Sequence, residues 1–181
     1  WQRCNSRTSS ATVYTTTTDS PAGPLHIAVL ADGSIIAVAF GVNDTADQFT
    51  ASLRRRGFEP EPDPAPTAEV VRQLAEYASG ARQTFNLPLH PIGSAWEQQV
   101  WAALQTIPHG ETRSYGQIAT QLGDPTKARA VGWANNANPI PVIIPCHRVI
   151  GAKGNLTGFG GGIEAKIRLL EHEGALLPGF A

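Results

Sequence analysis

Between Asn138 and Ile150 the chain reads Asn-Pro-Ile-Pro-Val-Ile-Ile-Pro-Cys-His-Arg-Val-Ile. No other stretch limits the possible folds as strongly. The prolines at its start predict a turn, and the apolar run Val142, Ile143 and Ile144 predicts a short buried strand. Cys146 and His147 then stand at or just past a strand end, on the edge of a core. A reactive side chain there is held rigidly and still meets a ligand.

A free cysteine of pKa about 8.5 is only slightly ionised at neutral pH, so a nucleophilic Cys146 needs a base or a positive field. Lowering its pKa by about two units takes about 2.7 kcal/mol of preferential thiolate stabilisation. His147 is the adjacent base. Neighbours on an extended chain point to opposite faces, which puts a water relay between the two side chains. A base also needs an orienting partner. Glu173, in His172-Glu173-Gly174 at the end of the last amphipathic helix, is the candidate. The competing reading is that Cys146 is a small buried hydrophobe. Pro145, which fixes the backbone before the thiol, and the His147-Arg148 pair after it favour the reactive one.

Pro145-Cys146-His147-Arg148-Val149, preceded by Asn138-Pro139 and followed by Gly-Phe-Gly-Gly-Gly (158–162) and His172-Glu173-Gly174, resembles the O6-alkylguanine-DNA alkyltransferases, the suicide methyltransferases of direct DNA repair. The likeness runs from about Val13 to Leu177. It implies an α/β (α+β) fold in two parts. Residues 12–93 would form a small α/β scaffold domain with an antiparallel, ribonuclease-H-like sheet. Residues 94–181 would form a mostly helical domain carrying a helix-turn-helix and the acceptor cysteine. The implied activity is irreversible transfer of an alkyl group from O6-alkylguanine in double-stranded DNA to Cys146, with no cofactor, by a monomer.

The composition sets outer bounds. A chain of 181 residues, 41% hydrophobic and 16% charged, suits a globular protein with a sizeable core. No apolar run approaches the eighteen or so residues of a membrane span, and no apolar leader opens the chain. Two cysteines, Cys4 and Cys146, make no disulfide framework and fit a reducing, cytoplasmic setting. The net charge of −1 carries no nucleic-acid signal. Any basic face must be local, around Arg113, Lys127, Arg129, Arg148 and Lys153.

In chain order, residues 1–11 read as a disordered tail. Val13–Thr18, Leu25–Leu30 and Ser34–Phe40 read as strands, the last two joined by an Asp32-Gly33 hairpin turn. Asp44–Gly57 reads as a helix. Its Arg54-Arg55-Arg56 is a helix end favourable to the dipole, with phosphate binding as the alternative. Phe58–Pro66 reads as a linker or exposed loop, Thr67–Gly80 as a helix and Thr84–His90 as a strand. Ser94-Ala-Trp-Glu97 is a capping box opening a helix with Val100, Leu104 and Ile107 inward. Trp96 and Trp101 read as core, with base stacking as the alternative. His109 stands in a turn without a spaced metal-ligand partner. Ser114-Tyr-Gly-Gln117 is a second capping box, and Thr126 is expected to cap the next helix, which reaches about Asn135. This pair is either a helix-turn-helix or an ordinary helical hairpin. The small residues Ala128, Ala130, Gly132 and Ala134 and the early Arg129 favour DNA. The 158–162 glycines do not follow a dinucleotide-loop pattern, so S-adenosylmethionine is not expected. Ile167, Leu169 and Leu170 form the apolar side of the closing helix, and Leu176–Ala181 reads as a tail.

The resemblance assigns roles by position. It implies Cys146 as acceptor, His147 as water-linked base, Glu173 as its partner, and Asn138 and Tyr115 as further catalytic groups, Tyr115 bonding the guanine ring. The recognition helix would enter the minor groove, with Arg129 filling the space of the extruded base and Ala128, Thr126, Gly132, Tyr115 and Arg148 on DNA. Val149, Phe159 and Gly160 would form the guanine pocket. Phe159 and Gly160 stand where relatives often carry Tyr and Ser, and Trp133 where a small residue is usual. No metal is expected: of the zinc-ligand positions some relatives use, Leu30 and Ile35 occupy two, and Cys4 lies outside the likeness. Two other readings are a DNA-binding module with a structural Cys146 and a Cys-His-Glu hydrolase.

Overall fold

The computed structural model describes residues 10–176. Residues 1–9 of the expected tail, Cys4 among them, and residues 177–181 lie outside the described residues. Ala11 already opens a strand. Strands β1 (Ala11–Thr18), β2 (Leu25–Val29) and β3 (Ile35–Phe40) form an antiparallel meander, with Tyr14 opposite Val29 and Leu25 opposite Phe40. The β2–β3 turn has the expected chemistry. Gly33 sits at φ 82°, and the Asp32 carboxylate accepts from the Ser34 N–H at 2.9 Å.

Three expectations fail in this half. The segment read as a linker contains β4 (Phe58–Pro62), which pairs parallel to β1. The sheet order is β3-β2-β1-β4, so the sheet is mixed, not wholly antiparallel. Pro60 and Pro62 cannot donate to a ladder, but an edge strand has only one side to satisfy. The strand expected over Thr84–His90 is absent. Only Leu89 bridges to Ile35, the Ile35 N–H donating to the Pro88 carbonyl at 2.9 Å. Phe85, Leu87 and Leu89 still pack on the core as half-buried residues.

Helix α1 (Ala46–Arg55) is opened by the Thr45–Gln48 capping box and buries Phe49 and Leu53. Its arginines fall at its C-terminal end, where positive charge complements the helix dipole. Helix α2 (Pro64–Ala78) starts two residues after β4, capped by Asp63, and buries Val70, Leu74 and Tyr77. Helix α3 (Ala95–Leu104) has both arms of the Ser94–Glu97 box. Its Trp101 is 1% exposed and settles the choice in favour of core packing. The Trp101 indole N–H donates to the Ala134 carbonyl at 2.8 Å, and that of Trp96 to Ala130 at 3.3 Å. Both tie α3 to a later helix.

That later part holds a two-stranded parallel ladder, β5 (Arg113–Ser114) with β6 (Val149–Ile150). Between them come α4 (Tyr115–Gln121) and α5 (Ala128–Asn136), and α6 (Ile163–His172) closes the fold. The ladder matters for position: it fixes the start of α4 against the residues that directly follow Cys146-His147-Arg148. One buried cluster runs from Ile27 and Val38 through Tyr77 and Trp101 to Val131, Ile144 and Leu169, so both halves share a core. Among the described residues no helix is long and apolar enough to cross a membrane.

Candidate active site

The apolar run Val142–Ile144 is buried as expected but is not a strand. Val142 stands at φ 73°, alone among the described non-glycine residues in having a positive φ. Pro141 bridges to Ile144 around it. A β-branched residue there costs about 1–3 kcal/mol and persists only where its surroundings over-determine it. Here they do. The Asn138 amide donates to the Ile144 carbonyl at 2.9 Å and its oxygen accepts from the Ile140 N–H at 3.0 Å. The Ile144 N–H donates to the Ile140 carbonyl at 2.9 Å. Prolines 139, 141 and 145 lack the N–H groups a ladder needs. The apolar run was therefore legible as core but not as strand, and Asn138 is the side chain that laces the turn.

Cys146-His147-Arg148 form one 3-10 turn after Pro145. Cys146 is 4% exposed. Burial pushes its thiol up to about 11, although the Asn138 side chain and the Lys166 ammonium both pull the other way. The resting group is a protonated thiol, so the base or positive field that the sequence called for is needed to ionise it.

His147 is fully buried, and burial depresses its pKa. Its Nε2 lies 2.9 Å from Glu173 Oε1. Burial alone would raise Glu173, but hydrogen bonds from His147 and Arg148 hold it well below the usual carboxylate range. An ionised carboxylate only accepts, so the His147 proton resides on Nε2 and the basic lone pair on Nδ1. Nδ1 is buried without a protein partner. Tyr77, from α2, donates to Glu173 Oε1 at 2.7 Å.

Arg148 corrects its expected role. It is 7% exposed, with Nε and Nη2 on the two Glu173 oxygens at 2.8 and 2.9 Å and Nη1 on the Ile107 carbonyl at 2.6 Å. Its guanidinium is committed to fixing Glu173 and is not free for a phosphate.

Lys166 was missed in the sequence. It is fully buried on α6, its Nζ donating to the carbonyls of Val149 at 2.5 Å and Thr157 at 3.3 Å and lying 5.9 Å from the Phe159 ring centre. Burial lowers it to about 8, and the neighbouring Cys146 favours its charged form. Its register was the available signal: 166, 169, 170 and 173 follow the i, i+3, i+4, i+7 spacing of a buried helix face. Val149 is fully buried above it. A cavity of about 220 Å³ reaches Cys146 and is lined also by Asn138, Pro141, Phe159 and Gly160.

A second, open groove of about 670 Å³ runs along α4 and α5, lined by Tyr115, Ala128, Arg129, Gly132, Trp133 and Asn136. Arg129 is exposed, and Trp133 is 74% exposed on the same helix. The Tyr115 hydroxyl donates to the Thr157 carbonyl at 3.2 Å. Its ring lies 3.8 Å from where a Cβ on Gly132 would stand, which is how α4 and α5 pack closely. Thr126 does not cap α5. It lies exposed in the preceding 3-10 turn, where Asp124 accepts from its N–H at 3.0 Å, and α5 begins without a side-chain cap.

Residues 95–175 match the family model described as 6-O-methylguanine DNA methyltransferase, DNA binding domain, and residues 13–91 match that of the ribonuclease-like domain of the same family. The methylated-DNA–protein-cysteine methyltransferase of Mycobacterium tuberculosis is 44% identical over 171 residues, 92% of this chain and 95% of that protein. The chain belongs to the 6-O-methylguanine DNA methyltransferase family. The crystal structure of the M. tuberculosis O6-methylguanine methyltransferase matches with a TM-score of 0.77 at 44% identity, covering 92% of this chain and 96% of that one. That of M. tuberculosis OGT in complex with DNA matches with a TM-score of 0.76 at 44% identity, over 91% and 94%. Asn136 lines both the Cys146 cavity and the α4–α5 groove, so the two adjoin.

Proposed function

We propose that this chain repairs double-stranded DNA by moving the alkyl group of O6-alkylguanine irreversibly onto the Cys146 sulfur, once per molecule. The observation that carries the reading is the buried pairing of Glu173 with His147 Nε2, which leaves a buried, unpartnered Nδ1 as the base on the residue next to Cys146. Residues 94–181 act as the reaction and DNA-binding unit and residues 12–93 as its support, working in the cytoplasm where bacterial DNA lies.

The O6 edge is inside the duplex, so the nucleotide is extruded, at a few kcal/mol. Arg129, exposed on α5, fills the vacated stack, with Ala128 and Gly132 allowing close approach. His147 Nδ1 takes the thiol proton through a water molecule. The sulfur then bonds the alkyl carbon as the carbon–O6 bond breaks, and its electron pair leaves on guanine. Tyr115, on releasing its hydroxyl from the Thr157 carbonyl, donates to the ring as that charge develops. The thioether product has no hydrolytic machinery, so turnover stops at one. The test is intact-protein mass after incubation with a duplex containing O6-methylguanine. A gain of one methyl group per chain, with no further repair at substoichiometric protein, is expected. DNA binding without mass gain would reduce the chain to a binding module, and repeated turnover would exclude the acceptor role.

Lys166 supplies the positive field. In Lys166→Met, which keeps length and apolar bulk, transfer at pH 7 should slow about tenfold, equivalent to about one pKa unit of lost thiolate stabilisation. Lys166 is charged below about 8 and neutral above it. The wild-type advantage should therefore shrink between pH 7 and 9 in single-turnover rates. A constant ratio across that range would exclude the charge as the cause.

A further inference from the structure

The cavity that reaches Cys146 has walls from both halves of the chain. One wall is the Asn138–Cys146 turn. The other brings Phe40 and Asn43, at the end of β3 and in the turn after it, against the 158–162 loop. The Asn43 amide donates to the Gly160 carbonyl at 2.7 Å, across 117 residues of sequence. Phe40 meets Phe159 edge to face with ring centres 5.4 Å apart. The same ring lies so close to Gly161 that a Cβ there would stand 2.7 Å from it.

This loop needs external support. Gly158 and Gly162 adopt φ values of 52° and 84°, and a glycine-rich segment loses more conformational entropy on ordering than any other. Lys166 reaches it from the core, through Thr157 and the Phe159 ring. Phe40, itself buried, packs against it through Phe159, and Asn43 reaches it from the surface. Asn43 is itself exposed, so its side chain supports the loop and not the core. The first half of the chain, read from sequence as scaffold alone, thus touches the loop that borders the alkyl-accepting cavity.

We propose that Asn43, backed by Phe40, is a positioning residue that holds the 158–162 loop against the cavity and so sets the size of alkyl group Cys146 accepts. This rests on the alkyl-transfer reading above. Releasing the loop moves Phe159 and Gly160 outward, which makes room for a bulky group and loosens the fit around a methyl.

The test compares two duplexes of one sequence, one with O6-methylguanine and one with O6-benzylguanine, in single-turnover reactions followed by intact mass. The proteins are wild type, Asn43→Asp, which keeps size but loses the donor, and Asn43→Ala. Both variants should still reach one alkyl group per chain. Their benzyl-to-methyl rate ratio should rise about fivefold over wild type, the scale of one ordinary hydrogen bond. Because both rates come from one preparation on one DNA sequence, the ratio is independent of active fraction and DNA affinity. An unchanged ratio, whether both rates fall together or neither moves, would overturn the positioning role. Wild type that accepts no methyl would instead overturn the alkyl-transfer reading.

Discussion

Cys146→Ser is expected to abolish alkyl transfer while leaving fold and DNA binding intact. The change is nearly isosteric in a buried site, so the 3-10 turn and its hydrogen bonds are retained. The chemistry is not. Burial pushes the wild-type thiol up to about 11, so only a very small fraction is ionised at neutral pH. That fraction is small but is replenished by His147, and sulfur is intrinsically a strong nucleophile toward saturated carbon. A serine hydroxyl ionises far less readily, and the same base cannot make up the difference. Intact mass should show no gain over hours, whereas gel shift with the alkylated duplex should match wild type. Persisting transfer in this variant would move the acceptor elsewhere and remove the basis of the mechanism.

Legibility in the sequence divides along the range of the interaction. Local signals were read correctly: the Asp32-Gly33 turn, the Ser94 and Ser114 capping boxes and the buried character of Val142–Ile144 each depend on residues a few positions apart. The motif around Cys146 carried the family, and the comparisons place the chain there. What failed was set at long range. β4 is a strand because β1 lies beside it, not because Phe-Glu-Pro-Glu-Pro favours one. Val142 is held at positive φ by Asn138 bonding across the turn. Arg148 looked like a DNA contact because it stands among the basic residues of this half and the resemblance put it on DNA. Only the fold shows Glu173, 25 residues away, taking its guanidinium. The Asn43–Gly160 bond spans 117 residues and has no local signature at all.

Glu173→Gln should damage both the reaction and the stability, and the two losses have separate signatures. In the wild type the carboxylate accepts from Tyr77, His147 and both Arg148 nitrogens. Glutamine keeps one accepting oxygen and turns the other into a donor, leaving part of the buried Arg148 charge unpaired. Breaking a buried pair in this way costs about 3 kcal/mol or more. The His147 proton also loses its reason to reside on Nε2. With a proton on Nδ1 the lone pair faces away from the thiol, and misplacing the tautomer of a base costs up to about 10⁴-fold in rate. A fall of about 10³-fold in single-turnover transfer is expected, with the final mass gain still on Cys146. The pH dependence identifies the carboxylate. Its folded pKa is depressed from the ordinary 4.5, so its contribution is present above about 4.5 and is lost as pH falls below it. Thermal midpoints of wild type and variant should therefore differ most from pH 5 to 7 and converge on acidification. A gap in Tm that stays constant down to low pH would mean that Glu173 acts through packing alone.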